Sequence, residues 1–477
     1  MPRPWLIALL AALCWNTIRP VCAQETTPPI APKTQETPLP PPVTLPPPPS
    51  PTPEVPNRPL TADEAARIAL RLQPNITVAR AGVQAAQGRT QQARSGELPT
   101  VGLGAGYTHQ DTLATEGGGS TGNNTGGTGT GGATGTTFSF PGYQASLTVR
   151  QLLFDFNHTR DLVRQSAALE RAANANLTGV QQAVVLQVKQ AFYTYAQNVR
   201  LVAVNEANVR NTQAQLDLAQ ARLKSGLGLP SDVVRAQTAV ADAVFQLNQA
   251  QNSASVARVN LALLMGIDPR TPIEAADTSE PAVTANDVNA LVNRALAQRP
   301  EILAAQATLQ AAQHGVNAAK TTNAPSVAAN LGLSSRGSDF PPGNDFFTVG
   351  VSVQWNLFDS GLTAGRVKEA RANVEAAQAQ LTNARLVVVS DVSQAYLNLR
   401  TAEQRVTTAD AEVANAEESV RLAEGRYRSG LGTFLDLITA QTALVTARTN
   451  RVNAQSAVDQ ARAALSRAIG APLPPTR

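Results

Sequence analysis

The sequence of 477 residues contains very few cysteine and histidine side chains. Its two cysteines, Cys14 and Cys22, both lie close to the start of the chain, so a secreted form that loses this segment has no disulfide and no thiol chemistry. Its three histidines lie far apart, at His109, His158 and His314, and the sequence has no P-loop, nucleophile elbow or metal-ligand spacing. We therefore expect no enzymatic activity, no metal site and no cofactor.

Charged and aromatic residues are also scarce. Charged residues make up 16% of the chain, where about 25% is usual, and aromatic residues make up 4%. The formal net charge of +4 is scattered, and no run of Lys and Arg indicates nucleic-acid binding. Ala, Gln, Asn, Thr and Val dominate the rest, which favours long helices with thin apolar seams over one bulky core.

Residues 1–23 have the pattern of a secretory signal peptide. Leu6–Trp15 is an apolar run too short to span a bilayer, and Val21-Cys22-Ala23 fits a small-residue cleavage site. Arg19-Pro20-Val21 is a poor lipobox, so lipidation of Cys22 is the less favoured alternative. Residues 24–59 contain 15 of the 32 prolines and are predicted to form an extended, disordered tail.

Two long stretches of the remaining chain repeat each other. Pro74 returns as Pro300 and Gly226 returns as Gly430, so the interval between these two landmarks is longer in the first repeat. The extra length falls around Gly117–Gly135, which is almost all Gly, Thr, Ser and Asn and predicts a flexible loop in the first repeat. The predicted organisation is a first repeat at 60–270, a linker at 271–283, a second repeat at 284–470 and a tail at 471–477.

Each repeat begins with two predicted helices. Thr61–Glu64 is a capping-box pattern before the first helix, and Thr284 and Asp287 occupy the matching positions of the second repeat. Pro99 and Pro325 end the second helix, because the residue before a proline is disfavoured in the α region.

A predicted β-hairpin follows in each repeat, at about 100–154 and 326–358. The clearest strand runs from Phe347 to Leu357, where apolar residues occupy every second position. Such alternation is typical of a barrel strand between lipid and water, and equally of a half-buried strand in a soluble sheet. Because no apolar run after residue 23 is long enough for a transmembrane helix, any membrane crossing would have to use these strands.

Long helical hairpins are predicted at about 155–266 and 359–469. Asp155 and Asp359 are placed to cap their first helices. From Val392 to Tyr427 apolar or small residues recur at alternating spacings of three and four, which predicts a helix of about 65 residues and roughly 100 Å. The outer faces are polar, so these helices are expected to stand in water.

The number of predicted strands raises a problem of closure. Four strands cannot close a barrel, and open sheet edges are not tolerated in lipid. Chains that enter a membrane must therefore combine their hairpins, and twelve strands from three chains leave room for a lumen where eight do not. The alternatives are a secreted periplasmic coiled-coil scaffold without channel activity and a passive porin, which needs no such helices.

One motif of four residues stands at the predicted reversal of both helical hairpins. It reads Arg222-x3-Gly226-x5-Asp232-x3-Ala236 in the first repeat and Arg426-x3-Gly430-x5-Asp436-x3-Ala440 in the second. The repeated motif resembles the helical tips of the TolC family of outer-membrane efflux proteins. The duplication, the order of elements and the Leu-Phe-Asp endings of the return strands fit the same family, over about Leu60 to Gly470.

This resemblance implies a mixed α/β membrane protein in the bacterial outer membrane. Three identical chains would form a twelve-stranded transmembrane β-barrel, with four strands per chain, continuous with a long periplasmic α-helical barrel. It also implies the exit duct of a tripartite efflux or type I secretion system. A periplasmic adaptor (membrane fusion) protein and an inner-membrane transporter would dock at the tip motifs, and outer-membrane lipid would surround the strands.

The resemblance also assigns residues to the entrance. Tyr427 and Asp232 match positions that bond across neighbouring helix pairs in the closed state. Thr439 replaces an aspartate that forms an acidic ring in some relatives, its first-repeat counterpart is Arg235, and Gly432 replaces a basic residue that helps to hold some relatives shut. Tyr427, Asp232, Arg235 and Thr439 are therefore the candidate gating residues, and the family's closure mechanism and ion selectivity do not carry over unchanged.

Overall fold

A computed structural model describes residues 58–111, 139–282, 287–338, 340 and 342–474. The predicted signal peptide, the proline-rich tail up to residue 57, the loop at Gly117–Gly135 and the predicted cap Thr284 lie outside the described residues. Twelve elements occur in the described parts. In chain order they are α1 (Ala62–Leu72), α2 (Pro74–Ser95), β1 (Thr100–Asp111), β2 (Ser139–Phe154), α3 (His158–Lys224), α4 (Pro230–Met265), α5 (Val288–Gln298), α6 (Pro300–Thr321), β3 (Ser326–Gly337), β4 (Asn344–Gln354), α7 (Leu362–Arg428) and α8 (Phe434–Ala468).

The two short opening helices are capped differently. Thr61 and Glu64 form the predicted capping box of α1, with both reciprocal hydrogen bonds present. In the second repeat Asp287 is itself the N-cap of α5, and its side chain accepts a hydrogen bond from the Asn289 amide. The expectation that Asp287 lies inside the first turn of this helix is therefore wrong.

The N-cap of each long helix lies two residues later in the chain than predicted, at Asn157 for α3 and at Gly361 for α7. The two residues that follow each aspartate have positive φ: Phe156 and Asn157 in the first repeat, Ser360 and Gly361 in the second. The long helices therefore begin only after these residues. Asp155 and Asp359 are thus not N-caps by position. Their carboxylates nevertheless accept hydrogen bonds from the amides of Thr159 (2.7 Å) and Thr363 (2.8 Å), and so satisfy free N–H groups of α3 and α7.

The four strands form one antiparallel sheet in the order β1-β2-β3-β4. Its register aligns one apolar residue from each strand, in the row Leu103, Leu147, Leu333 and Phe347, and all four are exposed in the single chain. β4 ends at Gln354, short of the predicted Leu357, because Gln354 already lies opposite Ser326, the first residue of β3. The sheet therefore presents an apolar face, with β1 and β4 at its edges.

The other helices pack side by side against α3 and α7, the two longest helices. α3 and α7 have 67 residues each, which corresponds to about 100 Å. In the half near the sheet α3 lies between α2 and α6, and α6 also contacts α7; in the other half α3 lies between α4 and α8, and α8 also contacts α7. Among the described helices, none is both long and apolar enough to cross a bilayer.

Three clusters of buried apolar residues hold this arrangement together. The first core joins α1, the middle of α3 and the end of α4, around Phe192 and Leu261. The second core joins α5, the middle of α7 and the end of α8, around Val392 and Leu465. The third, here called the tip core, lies where both hairpins reverse and contains Leu216, Ala219, Ala236, Tyr427, Phe434 and Leu437.

The segments predicted as a linker and a tail are packed where they are described. Leu60 forms a parallel bridge with Ala275, and the Tyr195 hydroxyl donates to the Ile273 carbonyl oxygen at 2.8 Å. At the other end of the chain, the Gln182 side chain donates to the Ala471 carbonyl oxygen at 3.3 Å. Both segments are thus fastened to α3, close to the first core.

Candidate functional site at the hairpin tips

Both helical hairpins reverse through the same glycine geometry. Gly226 and Gly430 have φ of +76°, which an L side chain adopts only with strain. The amide of the next residue, Leu227 or Leu431, donates to the carbonyl oxygen of the motif arginine at 2.9 Å in both tips. These bonds form a Schellman motif, which satisfies the last carbonyls of α3 and α7.

A second glycine in each turn is required by space. A Cβ on Gly228 would lie 2.8 Å from the Leu223 amide nitrogen, closer than real Cβ contacts. A Cβ on Gly432 would lie 3.0 Å from the Arg426 Cβ, which is tight but less severe. The backbone at Gly432 therefore leaves little room for the basic residue that the resemblance expects there.

Arg222 joins the first tip to the second. Its Nη1 donates to the carbonyl oxygen of Tyr427 at 2.5 Å and to that of Arg428 at 3.0 Å. Its guanidinium carbon lies 4.7 Å from the centre of the Tyr427 ring, within cation–π range. The last carbonyls of α7 carry the negative end of the helix dipole, so a cation is favoured there.

Tyr427 is enclosed by both hairpins. Its side chain is only 3% exposed, and its ring centre lies 5.4 Å from that of Phe434. The hydroxyl donates to Asp232 Oδ2 at 3.4 Å, a long hydrogen bond. Burial and the nearby Asp232 charge raise the pKa of Tyr427 above its ordinary value, so the phenol is neutral at physiological pH.

The two motif aspartates have different roles. Asp436 belongs to a reciprocal capping box with Thr433, and hydrogen bonds from Thr433 lower the pKa of Asp436 below its usual value. The first repeat has no such cap: the N-cap of α4 is Leu229, and no side-chain cap bond forms. The carboxylate of Asp232 accepts a hydrogen bond from the Tyr427 hydroxyl instead.

The remaining predicted residues divide into packed and exposed groups. Ala236 and Ala440 are buried, and their small side chains allow the helices to approach closely. Arg426, Arg235 and Thr439 are exposed, and the Thr439 hydroxyl donates to the carbonyl oxygen four residues earlier. The structure thus brings Arg222, Asp232, Ala236 and Tyr427 together in one cluster and leaves these three residues outside it.

Phe434 and Thr433 are contributors that the motif did not reveal. Phe434 is buried in the tip core, and Thr433 caps α8. For Thr433 the sequence does contain a local signal, because Thr433 and Asp436 have the spacing of a capping box. Outside the core, the turn leucines Leu227 and Leu431 are 74% and 77% exposed and present apolar surface at the end of the molecule.

A buried charged cluster lies far along α3 from the tip and was not predicted. Glu280, only 5% exposed, accepts from Lys189 Nζ at 2.6 Å and from the Tyr193 hydroxyl at 2.7 Å. The Glu280 amide donates to Asp459 Oδ1 at 3.0 Å, and Lys189 also pairs with Asp63 at 2.8 Å. We call these five residues the linker network, because Glu280 lies in the segment between the repeats.

Burial and charge shift the pKa values in the linker network. Burial disfavours charged Lys189, but its bonds to Asp63 and Glu280 outweigh this and raise the Lys189 pKa. Burial also raises the pKa of Tyr193 and of Asp459. Within the described parts of the chain, no group of three or more His, Cys, Asp and Glu residues is placed to hold a metal ion.

Comparison with known structures defines the class to which this fold belongs. The outer-membrane channel OprN has a TM-score of 0.74 at 22% sequence identity, over 87% of this chain and 91% of that chain. This likeness confirms the predicted mixed α/β fold, in which one chain combines a four-stranded sheet with a long helical part.

The family model described as "Outer membrane efflux protein" matches residues 65–267 and 291–471, so the chain belongs to the outer membrane efflux protein family. Among its relatives are Protein CyaE of Bordetella pertussis, 28% identical over 71% of this chain and 69% of that protein, and outer membrane protein TolC of Escherichia coli K12, 25% identical over 69% of this chain and 66% of that protein. The protein is thus an outer-membrane channel that extends into the periplasm, and its family is one of transport channels rather than enzymes. The match favours the channel over the soluble scaffold.

Proposed function

We propose that this protein is the outer-membrane exit duct of a tripartite efflux or type I secretion system. Substrates would pass from an inner-membrane pump through a periplasmic adaptor protein into the lumen of the trimer and so to the exterior. The adaptor would dock at the helical tips, at the two motifs Arg222-Gly226-Asp232-Ala236 and Arg426-Gly430-Asp436-Ala440.

The observation that carries this proposal is the repeated turn at the far end of two 67-residue helices. Each turn exposes a leucine, Leu227 or Leu431, about three quarters of whose surface is open to solvent (74% and 77%). Exposed apolar side chains on an ordered turn are typical of a protein contact surface. Six such turns in a trimer would give an adaptor a ring of equivalent contacts.

Gating is the second part of the proposal. The contact between Tyr427 and Asp232 joins two helix pairs at the tip, as a closed entrance requires, and the exposed Arg235 and Thr439 would line the approach to it. Gly432 offers no side chain to hold the entrance shut. Among the described residues, the polar contacts that join the first tip to the second are therefore the hydrogen bonds of Arg222 and Tyr427.

The experiment is a complementation test with the charged double variant Leu227→Glu/Leu431→Glu. A deletion strain is supplied with the wild-type protein or the variant, and dye retention and the set of secreted polypeptides are both measured. The wild type should restore export in at least one assay. The double variant should restore neither, because carboxylates replace apolar docking surface, although it reaches the outer membrane as a trimer.

Thr446→Glu is the matched control, because Thr446 is exposed in the middle of α8, away from both turns. It adds the same kind of charge to the helical part and should export like the wild type. Export by the double variant at the wild-type level would contradict docking at the turns.

A further inference from the structure

The four-stranded sheet has two chemically different faces. On one face lie the apolar row that contains Leu103 and the pair Tyr107 and Tyr143, whose ring centres are 5.0 Å apart. On the other face Thr, Ser, Gly, Asn and Gln predominate, and the Asn330 side chain donates to the Ser352 hydroxyl at 2.8 Å. In a barrel that stands in lipid, the apolar face meets the lipid and the polar face lines the lumen. A substrate in the proposed duct would therefore pass along the polar face.

Two arginines of each chain lie on this polar face. Arg150 of β2 is directly opposite Asn330 of β3, so their side chains share a face. Arg336 follows Asn330 on β3 by an even number of residues, which returns its side chain to the same face. Both arginines are exposed, and neither guanidinium makes a hydrogen bond or an ion pair with the described residues.

The two arginines lie at different levels of the sheet. Arg150 is opposite Thr100, the first residue of β1, at the end where the strands join the helices. Arg336 is opposite Asn344, the first residue of β4, at the other end. Along the strands the two levels are about 20 Å apart, at 3.2–3.4 Å per residue. Three chains that close one barrel would thus carry two rings of arginines, one near each end of the lumen.

The described residues of the polar face offer no carboxylate to balance these charges. Among the strand residues whose side chains are described, the only carboxylate is Asp345. Asp345 is two residues before Phe347 of the apolar row, so it belongs to the other face. Charges of one sign on a low-dielectric wall raise the local concentration of counter-ions, and rings of Arg or Lys are a means by which pores select anions.

A structural role would leave these arginines bonded. Arg299, which joins α6 to α7, is buried and pairs with both Glu301 and Asp391. Arg150 and Arg336 have no such partner among the described residues, and they lie on the face where water is expected. Side chains that face a lumen affect selectivity more than stability.

We propose that Arg150 and Arg336 make the barrel section of the duct selective for anions, so that it favours substrates with carboxylate, phosphate or sulfate groups. The inference rests on the proposed function, because three chains must enclose the lumen. The planar guanidinium pairs with two oxygens of such a group at once. The rings are farther apart than the Debye length of about 8 Å at physiological salt. They therefore form two separate weak sites, from which an anion can leave as well as enter.

The candidate gating residues do not oppose this preference. Of the four, only Asp232 is acidic, and its carboxylate accepts from the Tyr427 hydroxyl. Arg235 is positive and Thr439 is neutral, so these four residues together carry no net negative charge. We therefore expect the barrel, and not the entrance, to decide which ions the open duct prefers.

Planar-bilayer recording of the purified trimer tests the inference. Under a KCl gradient, the reversal potential of the wild type should show that chloride permeates more readily than potassium. Arg150→Gln/Arg336→Gln should lose this preference, because glutamine has no charge. The matched control Arg58→Gln/Arg270→Gln removes two exposed arginines that lie outside the sheet, and it should keep the wild-type reversal potential.

Arg150→Lys/Arg336→Lys separates charge from structure, since lysine restores the charge, and this variant should prefer chloride as the wild type does. A wild-type channel that prefers potassium would overturn the inference. So would a glutamine variant with the wild-type reversal potential, or a lysine variant as unselective as the glutamine variant.

A polyanion tests the outer ring directly. Inositol hexakisphosphate, added at low salt on the exterior side, should block the current through the wild-type channel. Arg336→Gln should weaken this block about tenfold, the loss expected when charge-assisted hydrogen bonds to phosphate are removed. Equal block of the wild type and of Arg336→Gln would contradict a binding ring at this level.

These recordings need neither an adaptor nor a pump, so they separate this inference from the proposed function. A trimer that conducts with the wrong selectivity overturns the arginine rings and leaves the duct intact. A purified protein that forms no channel at all would overturn the duct, and the inference with it.

Discussion

The two repeats of this chain share their backbone and differ in their polar contacts. Both contain a 67-residue helix and a Schellman turn with the same φ at its glycine. In the first repeat, partly buried Lys189 pairs with buried Glu280 of the linker, whereas in the second repeat Arg299 bonds Glu301 and Asp391. Backbone geometry thus sets the shape of each repeat, while side-chain partners decide what each copy contacts.

The largest expected effect comes from removing the central carboxylate of the linker network. Glu280→Leu removes the hydrogen-bond acceptor of the Tyr193 hydroxyl and one of the two carboxylate partners of Lys189. Because these groups then lack partners away from water, the variant should lower the free energy of unfolding by about 3 kcal/mol. Asp391→Leu is the comparison in the second repeat. It should cost about 1 kcal/mol or less, because Asp391 is half-exposed and Arg299 keeps Glu301.

Urea unfolding in detergent, followed by circular dichroism, measures both variants. Equal losses of unfolding free energy in the two variants would contradict the expectation that buried Glu280 contributes more to stability than half-exposed Asp391. A loss for Asp391→Leu larger than that for Glu280→Leu would reverse the comparison.

The next largest effect is the difference in stability cost between alanine substitutions at Gly228 and Gly432, the two turn glycines that have little room for a Cβ. Gly228→Ala places a Cβ against backbone and should destabilise the first tip by about 2 kcal/mol, and Gly432→Ala should cost about 1 kcal/mol because its contact is longer. Gly425→Ala is the control: its Cβ meets nothing, and alanine in a helix is favoured by roughly 0.5–1 kcal/mol. Hydrogen exchange of the amides at 222–229 and 426–434 measures the stability of each tip separately.

A smaller effect separates the two helix starts. Thr433→Ala removes the capping box of α8 and should weaken its first turn by about 1 kcal/mol, whereas Leu229→Ala should leave the start of α4 nearly unchanged because no side-chain cap exists there. The lowered Asp436 pKa adds a pH dependence. Its stabilisation is present above the unfolded pKa, near 4, and is lost as pH falls through the lower folded value, so exchange at the α8 start should rise in acid.

The smallest effect is electrostatic. Ion pairs join α7 to α8 at Asp410–Arg451 (2.8 Å) and Glu417–Arg448 (2.9 Å), and the first-repeat equivalent of Arg451 is Leu247. Each exposed pair should contribute about 0.5 kcal/mol and weaken with salt. Amide exchange in concentrated salt should therefore increase along the second hairpin and not along the first; an equal response of both hairpins would contradict this.

The sequence could predict what depends on local pattern. Prolines, glycines and apolar spacing predicted the helices and both reversals within a few residues, because these signals act on the chain near them. The roles of Asp232 and Asp436 could not be told apart, since they depend on Leu229 or Thr433 at the N-cap and on Tyr427 from the other hairpin. The linker network was missed for the same reason: Glu280 meets residues that are distant in sequence.

The pairing of β2 with β3 has a consequence for the order of folding. The helical hairpins and the β1-β2 and β3-β4 hairpins join neighbouring parts of the chain, whereas β2 and β3 pair across the whole first helical hairpin and the helices α5 and α6. Contacts at large separation in sequence form slowly, since the loop must close before they contribute. We expect the helical part to form first in the periplasm and the four-stranded sheet last, so that the apolar strands are completed when the chain reaches the lipid.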